Sequence, residues 1–240
     1  ESCPELVVEL VETGRLSEAR IDQSVRRLLR LKFQLGLFDN PFVDEAQVAQ
    51  VFGQPASVAA GVASQQRAMT LLKNEGHVLP LQGRPKVFVK NVDPATAAHY
   101  AEVVATPKAA DFAILRLETP WVPVATENPF ARSFHHGDLD FKEEAKAEIL
   151  ALLQAVPTIV VIYLDRPAVI PEISGMAQAL LADFGASDAA VLDVLFGKAS
   201  PEGKLPFELP SSMAAVRNQL ADVPYDSEQP LYRFGFGLSY

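Results

Sequence analysis

The sequence predicts an α/β protein in which a mostly parallel sheet is sandwiched between helical layers. The first observation is a set of short runs rich in Val, Ile and Leu, at 87–90, 112–117, 159–164 and 179–184, with a weaker run at 205–209. Continuous apolar runs are typical of strands that are buried on both faces. The second observation is helical periodicity between these runs. Strands that alternate with helices form parallel sheets covered by helices on both sides.

Two helices and a linker are predicted before the first strand. Apolar residues recur at helical spacing over 18–35, and Gly36 stands where a helix stop is expected. A shorter helix is predicted over 5–12. The two helices form a hairpin with no strand beside it. An independent domain seldom begins this way, so the hairpin is interpreted as the last part of a larger structure. Residues 37–56 are predicted to be a linker with one helical turn around 45–51.

The remaining helices are predicted around the strands. A long helix is expected over 57–73, where apolar residues share one face. The others are 95–103, 141–155, 168–174 and 188–196. Asp138 or Asp140 is the expected cap of the 141–155 helix, and Gly197 is expected to close the last helix.

Composition disfavours two classes of partner. Of the 240 residues, 49% are hydrophobic and 21% are charged, which is a globular composition. The 21 basic and 30 acidic residues give a net charge of −9, so no nucleic-acid partner is expected. The longest strongly apolar run, 158–164, is far shorter than the ~20 residues of a membrane span. No membrane partner is expected, and no secretory signal is visible at the start.

Cofactor and metal sites are not expected either. The single cysteine, Cys3, cannot form an internal disulfide, and it leaves the location open between cytoplasm and periplasm. His135 and His136 are adjacent, and neighbours on a regular element seldom point at one metal. The 197–204 stretch lacks the spacing of a phosphate loop, and the dinucleotide and nucleophile-elbow glycine motifs are absent.

Polar residues follow the predicted strands at one edge of the sheet. Glu118 and Trp121 follow one strand, and Asp165 and Arg166 follow the next strand along the chain. The carboxyl ends of parallel strands are where α/β proteins bind ligands. Carboxylates, an arginine and an indole suit a polyhydroxylated ligand such as a sugar, so Trp121, Asp165 and Arg166 are candidate substrate-binding residues. The alternative is that polar residues simply begin where strands end.

The segment 118–140, which we call the rim loop, is the least regular part of the chain. Loops longer than about 12–15 residues are usually functional or disordered. This one contains Trp121, Phe130 and Phe134, which a disordered loop does not need. A carboxylate on such a loop can place a general acid over a bound ligand. The alternative is a lid packed by its aromatic residues, or an interface loop.

Five segments of the chain match a known pattern in its order along the sequence. They are 20–33 with 35–38, 71–75 with 79–81, 195–197, 201–206 and 230–240. Together they resemble the C-terminal part of glycoside hydrolase family 3, the β-glucosidase family. The first resembles the last helix of the family's catalytic barrel and the exit from it, and the second resembles the entry to its second domain.

The resemblance implies a domain organisation. Residues 1–36 correspond to the last helices of a (β/α)8 barrel, residues 37–56 to a linker, and residues 57–240 to an α/β sandwich domain. The barrel itself is expected to precede residue 1 and to be the partner of this domain. The activity implied is that of a retaining, exo-acting β-glycosidase, with β-glucosides as the first substrate class and β-xylosides as the second.

The resemblance also implies how the catalytic groups are divided. The family's nucleophilic Asp lies on the barrel, so this chain alone is expected to be inactive. Its general acid/base is a Glu on a loop after a strand of the second domain, which matches the rim loop. Glu127 is the first candidate because it sits well into the loop and is expected to be exposed and mobile. Glu118 is the second, expected to be partly buried and held by donors such as Arg166.

Two other readings of the residues stay open. One is a non-catalytic carbohydrate-binding or interface domain that completes a neighbouring site. The other is a flavodoxin-like domain that binds a small molecule, which the missing phosphate-binding turn disfavours. Within the rim loop, the position of Asp138 before a helix favours a capping role over catalysis.

Overall fold

The computed structural model describes residues 3–240, so the first two residues of the 1–36 segment lie outside the described residues. The chain divides into two compact units, one ending at Gln54 and the other spanning Pro55–Tyr240. The first unit contains α1 (Cys3–Glu12), α2 (Glu18–Gln34), a 3₁₀ turn (Glu45–Gln47) and α3 (Val48–Val51). Its predicted helices and helical turn are therefore confirmed.

Local capping sets the limits of α2. The Ser17 hydroxyl accepts a hydrogen bond from the Arg20 N–H at the start of the helix. At the end, Gly36 has a φ of 68°, and the Leu37 N–H donates to the Lys32 carbonyl at 3.1 Å. This is the glycine-dependent helix stop that the sequence predicts. No described residue up to Gln54 is buried.

The second unit holds the sheet. Its strands are β1 (Thr70–Asn74), β2 (Lys86–Lys90), β3 (Glu102–Val103), β4 (Phe112–Glu118), β5 (Val122–Pro123), β6 (His135–His136), β7 (Thr158–Tyr163) and β8 (Ala179–Asp183). Its helices are α4 (Pro55–Ala68), α5 (Pro94–Ala97), α6 (Pro129–Arg132), α7 (Glu143–Ala155), α8 (Pro171–Met176), α9 (Asp188–Leu195) and α10 (Met213–Asn218), with 3₁₀ turns at Glu75–His77 and Pro107–Ala109. Six strands form one sheet in the order β1-β8-β7-β4-β2-β3, and β5 and β6 form a separate hairpin. All neighbours in the large sheet run parallel except β1 and β8.

The central strands are covered on both faces. In β7, Ile159 and Val161 belong to one core, and Val160 and Ile162 belong to the other. Helix α9 packs into the first core through residues such as Leu192, and α7 packs into the second through residues such as Ile149 and Leu153. Successive strand residues point to opposite faces, which explains why the strands appear as continuous apolar runs. The predicted α/β sandwich with a mostly parallel sheet is confirmed.

The predicted helix over 57–73 is wrong at its end. Helix α4 stops at Ala68, and the next residues form β1, which pairs antiparallel with β8. Leu71 lies in the first core and Leu72 in the second, so this apolar run is buried on both sides. A short apolar run does not distinguish a strand from the last turn of a helix, because both periodicities accommodate it.

Three other predicted elements differ from the structure. The 95–103 helix ends at Ala97, because the chain then turns to place β3 beside β2. The 168–174 helix begins only at Pro171, whose fixed φ suits a first helical position. The weak strand at 205–209 does not join the sheet. Instead, Leu205 and Leu209 exchange backbone hydrogen bonds with the C-terminal tail.

Two glycines allow three chain segments to meet at the start of β1. A Cβ on Gly203 would lie 2.2 Å from the Ala68 carbonyl oxygen and 2.7 Å from that of Met69. A Cβ on Gly237 would lie 2.4 Å from the Gly203 carbonyl oxygen. Real Cβ atoms do not come so close to backbone atoms. The tail therefore packs here only without side chains at these positions.

The substitution Gly203→Ala is expected to lower the free energy of unfolding by about 1–3 kcal/mol or more, because the new methyl group overlaps backbone carbonyls. Gly61→Ala is the matched control. Gly61 lies inside α4 with nothing near its Cβ position, and the change there is expected to add about 0.5–1 kcal/mol. Urea unfolding of the 240-residue chain measures both values. An unchanged stability in Gly203→Ala would contradict the packing argument.

Candidate functional site

The rim loop is fastened at its first residues to the carboxyl edge of the sheet. It leaves β4 at Glu118, and the buried Thr119 follows directly. The Thr119 N–H donates to the Tyr163 carbonyl at 3.2 Å. Its hydroxyl group lies 3.2 Å from the same carbonyl oxygen and 3.1 Å from that of Arg166. The loop thus starts from a defined position beside the end of β7.

The end of the loop is fastened as well. The Arg166 guanidinium donates to the Gly137 carbonyl, and the Val169 N–H donates to the Leu139 carbonyl at 2.9 Å. Asp138 forms ion pairs with Lys142 at 2.9 Å and Arg217 at 3.1 Å. The hydrogen bond from Lys142 is the main reason why the pKa of Asp138 lies below its ordinary value.

The predicted capping role of Asp138 and Asp140 is wrong. Helix α7 begins after Lys142, and no side-chain cap precedes it. Both carboxylates instead bind the ammonium group of Lys142. The Lys142 ammonium group, immediately before the helix, is a stronger partner for a carboxylate than a backbone N–H, because the ammonium and the carboxylate both carry full charge.

Between these anchors, the loop folds back on itself and brings two predicted site residues together. Strands β5 and β6 pair antiparallel, with Pro123 opposite His135. The Trp121 indole stacks on the His135 imidazole, with ring centroids 3.9 Å apart and planes 9° apart. The Nδ1 atom of His135 binds the Asp165 carboxylate. Trp121 and Asp165 are therefore joined through a histidine that the sequence identified only as an unsuitable metal ligand.

This hairpin depends on a glycine. Gly137 has a φ of 92°, a region that side chains rarely allow. A Cβ at this position would also lie 2.8 Å from the Val122 Cγ2 atom. Because the Gly137 carbonyl is the acceptor for Arg166, the third predicted substrate-binding residue stabilises the same hairpin.

The tip of the loop carries Glu127. Helix α6 follows it, with Asn128 accepting the Phe130 N–H as a cap, and Phe130 packs edge-on against Phe134 at 5.3 Å. The Glu127 side chain is exposed. Within residues 3–240, it has no hydrogen bond or ion pair.

The environment predicted for Glu118 is wrong. Glu118 is exposed, because it is the last residue of β4 and lies beyond the core that buries residues such as Ile114 on the same face of the strand. Arg166 does not reach it, since that guanidinium donates to Gly137 instead. Glu118 lines an open cavity of about 420 Å³ together with Asn91, Arg116 and Tyr163.

A buried ion-pair cluster next to this cavity is the feature that sequence reasoning missed. The Arg116 guanidinium lies 2.6 Å from the Asp188 carboxylate and 3.3 Å from that of Asp183. Asp183 is fully buried and also accepts N–H groups from Gly185 at 2.9 Å and Ala186 at 3.1 Å. The cluster therefore holds the turn after β8. An arginine within an otherwise apolar strand was the available signal.

Replacement of Arg116 by methionine is expected to lower the free energy of unfolding by about 3 kcal/mol, because Asp183 then keeps a buried charge without its cation. Arg67→Met is the matched control. Arg67 pairs with Glu202 at 2.9 Å, but both side chains are mostly exposed. Its loss is expected to cost less than about 1 kcal/mol. Chemical denaturation measures the free energy of unfolding of the two variants. Equal losses would show that burial of the Arg116 cluster does not increase its contribution to stability.

Two further observations concern the described part of the chain. No group of three or more His, Cys, Asp or Glu side chains in it is arranged to hold a metal ion. None of its helices combines the length and the apolar character that a membrane crossing requires.

Comparison with known proteins gives a family match. The sequence model of the "Glycosyl hydrolase family 3 C-terminal domain" matches residues 89–240. Over the whole chain, the sequence is 46% identical to "Probable beta-glucosidase C" of Aspergillus flavus and 47% identical to "Beta-glucosidase C" of Emericella nidulans. Over 97% of the chain, it is 39% identical to the "Periplasmic beta-glucosidase/beta-xylosidase" of Dickeya chrysanthemi. The chain spans 36–39% of the length of these relatives.

Solved structures share the fold. A β-glucosidase from Listeria innocua, in complex with isofagomine, superposes over 97% of this chain and 41% of its own, with a TM-score of 0.68 and 22% identity. The β-glucosidase D2-BGL from Chaetomella raphigera covers 98% of this chain and 44% of its own, with a TM-score of 0.70 and 18% identity. At these identities, the likeness supports the fold alone.

Proposed function

The chain belongs to glycoside hydrolase family 3, and on that premise we propose that it is the C-terminal part of a retaining, exo-acting β-glycosidase. The proposed substrates are β-glucosides first and β-xylosides second. The observation that carries the proposal is the identity of 46–47% over the whole chain with two proteins named as β-glucosidases. The Dickeya relative, whose name includes both activities, supports the second substrate class.

The first unit supports a missing partner domain. Its helix α2 exposes large apolar side chains, among them Leu28, Leu31 and Phe33, and none of its described residues is buried. A contiguous exposed apolar face of this kind marks a surface for interaction with another protein surface. We assign that surface to a (β/α)8 barrel that carries the nucleophilic Asp. Residues 1–36 then belong to the barrel, 37–56 to a linker, and 57–240 to the sandwich domain.

The rim loop is the proposed source of the general acid/base. Its carboxylate candidates are Glu127, at the exposed tip, and Glu118, beside the edge cavity. Trp121, Asp165 and Arg166 are proposed to contact the sugar or to hold the groups that do. A retaining mechanism requires the nucleophile and the acid/base to face each other across the scissile bond, about 5–5.5 Å apart when both are carboxyl groups. The loop must therefore project toward the barrel.

The full-length protein is expected to hydrolyse an aryl β-glucoside with retention of anomeric configuration, which ¹H NMR of the first-formed sugar measures. The 240-residue chain is expected to show no turnover. It lacks the nucleophile, and a general acid alone supplies only about 10²–10⁴-fold. Hydrolysis by the 240-residue chain would contradict the division of catalytic groups. Sugar binding by a full-length protein without hydrolysis would instead favour a carbohydrate-binding domain.

In the full-length enzyme, Trp121→Ala is expected to raise KM for aryl β-glucosides several-fold, because the sugar loses the large apolar ring surface against which its C–H face packs. Trp121→Phe keeps a ring at this position and is the control, with a smaller expected rise. Steady-state kinetics on one glucoside series compares them. A KM that neither variant changes would remove Trp121 from the substrate-binding set.

A further inference from the structure

A cavity of about 460 Å³ lies in the second unit, between the end of the rim loop and the segment 219–226. Leu139 lines it from the rim loop, and Phe207 and Glu208 line it from the stretch that precedes α10. We call it the C-terminal cavity. Its volume falls within the range of small-molecule sites, about 300–1,000 Å³. The proposed function assigns no role to it.

Hydrogen bonds hold the loop that forms one wall of the C-terminal cavity. The Asp226 carboxylate accepts the Leu220 N–H at 2.9 Å and so closes the loop between these two residues. The next residue, Ser227, is buried, and its N–H donates to the Glu208 carboxylate at 3.2 Å. The loop is therefore closed on itself and joined to the opposite wall.

The same loop presents an aromatic ring at the cavity. The Tyr225 ring stacks on Phe234, with centroids 4.3 Å apart and planes 28° apart, yet 54% of Tyr225 remains exposed. Its backbone has a φ of 58°, a conformation that costs a bulky residue about 1–3 kcal/mol. Strain of this kind is concentrated at ligand sites, where it fixes the position of a side chain. Tyr225 is thus a supported, half-exposed platform.

The polar groups of the C-terminal cavity favour a neutral ligand that donates hydrogen bonds. One oxygen of Glu208 accepts the Ser227 N–H, and the other has no hydrogen bond or ion pair within residues 3–240. The Gln219 side chain offers an amide donor and acceptor, also without a partner in that range. No Lys, Arg or His is among the described residues that line the cavity, so an anion would meet the Glu208 and Asp226 carboxylates without a cation. Most of the remaining wall is apolar: Leu139, Phe207, Val216, Leu220, Val223 and Pro224.

We infer that the C-terminal cavity is a binding site for a neutral saccharide, a β-linked disaccharide such as cellobiose. The C–H face of one sugar ring packs on Tyr225, and sugar hydroxyl groups donate to Glu208 and bond to Gln219. A purely apolar ligand would cover the Glu208 carboxylate without giving it a hydrogen bond, which is costly. The choice of a β-linked glucose disaccharide rests on the proposed function, whereas the site itself rests on the cavity. The main alternative occupant is an organic cation, because an aromatic face and carboxylates also suit positive charge.

The test is an NMR titration of the ¹⁵N-labelled 240-residue chain with cellobiose and, separately, with choline. Tyr225→Asn removes the ring, and asparagine tolerates a positive φ better than most residues. Glu208→Gln keeps an oxygen for the Ser227 N–H but replaces the unpartnered acceptor by a donor. Phe42→Ala is the matched control, because it removes an exposed aromatic ring from the first unit, outside the cavity.

Cellobiose is expected to shift the amide signals of 219–226 in a saturable way. Tyr225→Asn is expected to raise the dissociation constant about tenfold or more, a change that corresponds to about 1.4 kcal/mol. Glu208→Gln should raise it several-fold, and Phe42→Ala should leave it unchanged. Thermal unfolding midpoints verify that each variant is folded.

Three results would overturn the inference: no saturable shifts in 219–226 with cellobiose, equal binding by Tyr225→Asn, or binding of choline in place of cellobiose. The third would make the cavity a cation site. Hydrolysis of an aryl β-glucoside by the full-length protein tests the proposed function separately. If hydrolysis occurs but the cavity binds no sugar, only this inference fails. If the cavity binds cellobiose but the full-length protein hydrolyses no glycoside, only the proposed function fails.

Discussion

Burial of β7 on both faces is the constraint on which the rest of this fold depends. Every residue from Thr158 to Ile162 is buried, and β7 lies between β4 and β8 at the centre of the sheet. A strand that is apolar on both sides requires a layer of helices on each, and parallel neighbours require long connections that return the chain to the same end. The carboxyl ends of these strands therefore meet at one edge, and the polar residues that follow them are brought together.

That edge contains two kinds of polar group with different uses. The Arg116–Asp183 pair is buried, and the Asp183 carboxylate is satisfied by a guanidinium and two backbone N–H groups, which suits a structural role. The His135–Asp165 pair lies in a partly exposed position at the base of the rim loop, where the imidazole also stacks on Trp121. A buried polar group whose partners all lie inside the fold stabilises the fold, whereas a surface pair such as His135–Asp165 is also solvated by water.

The rim loop combines order at its base with exposure at its tip. Thr119 and Arg166 fasten the two ends to the end of β7, while the aromatic side chain of Phe130 remains largely exposed. A loop built this way places its base residues reproducibly and leaves its tip to adapt to another surface. In the first unit, helix α2 likewise exposes apolar side chains, among them Leu28 and Phe33.

The sequence by itself determined the elements whose signals are local. Four central strands, the α2 stop at Gly36 and the closure of α9 by Gly197 follow from apolar runs and from glycine geometry, which involve only near neighbours. It also placed Trp121, Asp165 and Arg166 after the correct strands. Only the tertiary structure decided that 70–74 is a strand, that Arg116 meets Asp183, and that His135 joins Trp121 to Asp165. Each of these outcomes depends on a partner at least 30 residues away along the chain, which packing of the sheet and loop selects and which no local pattern specifies.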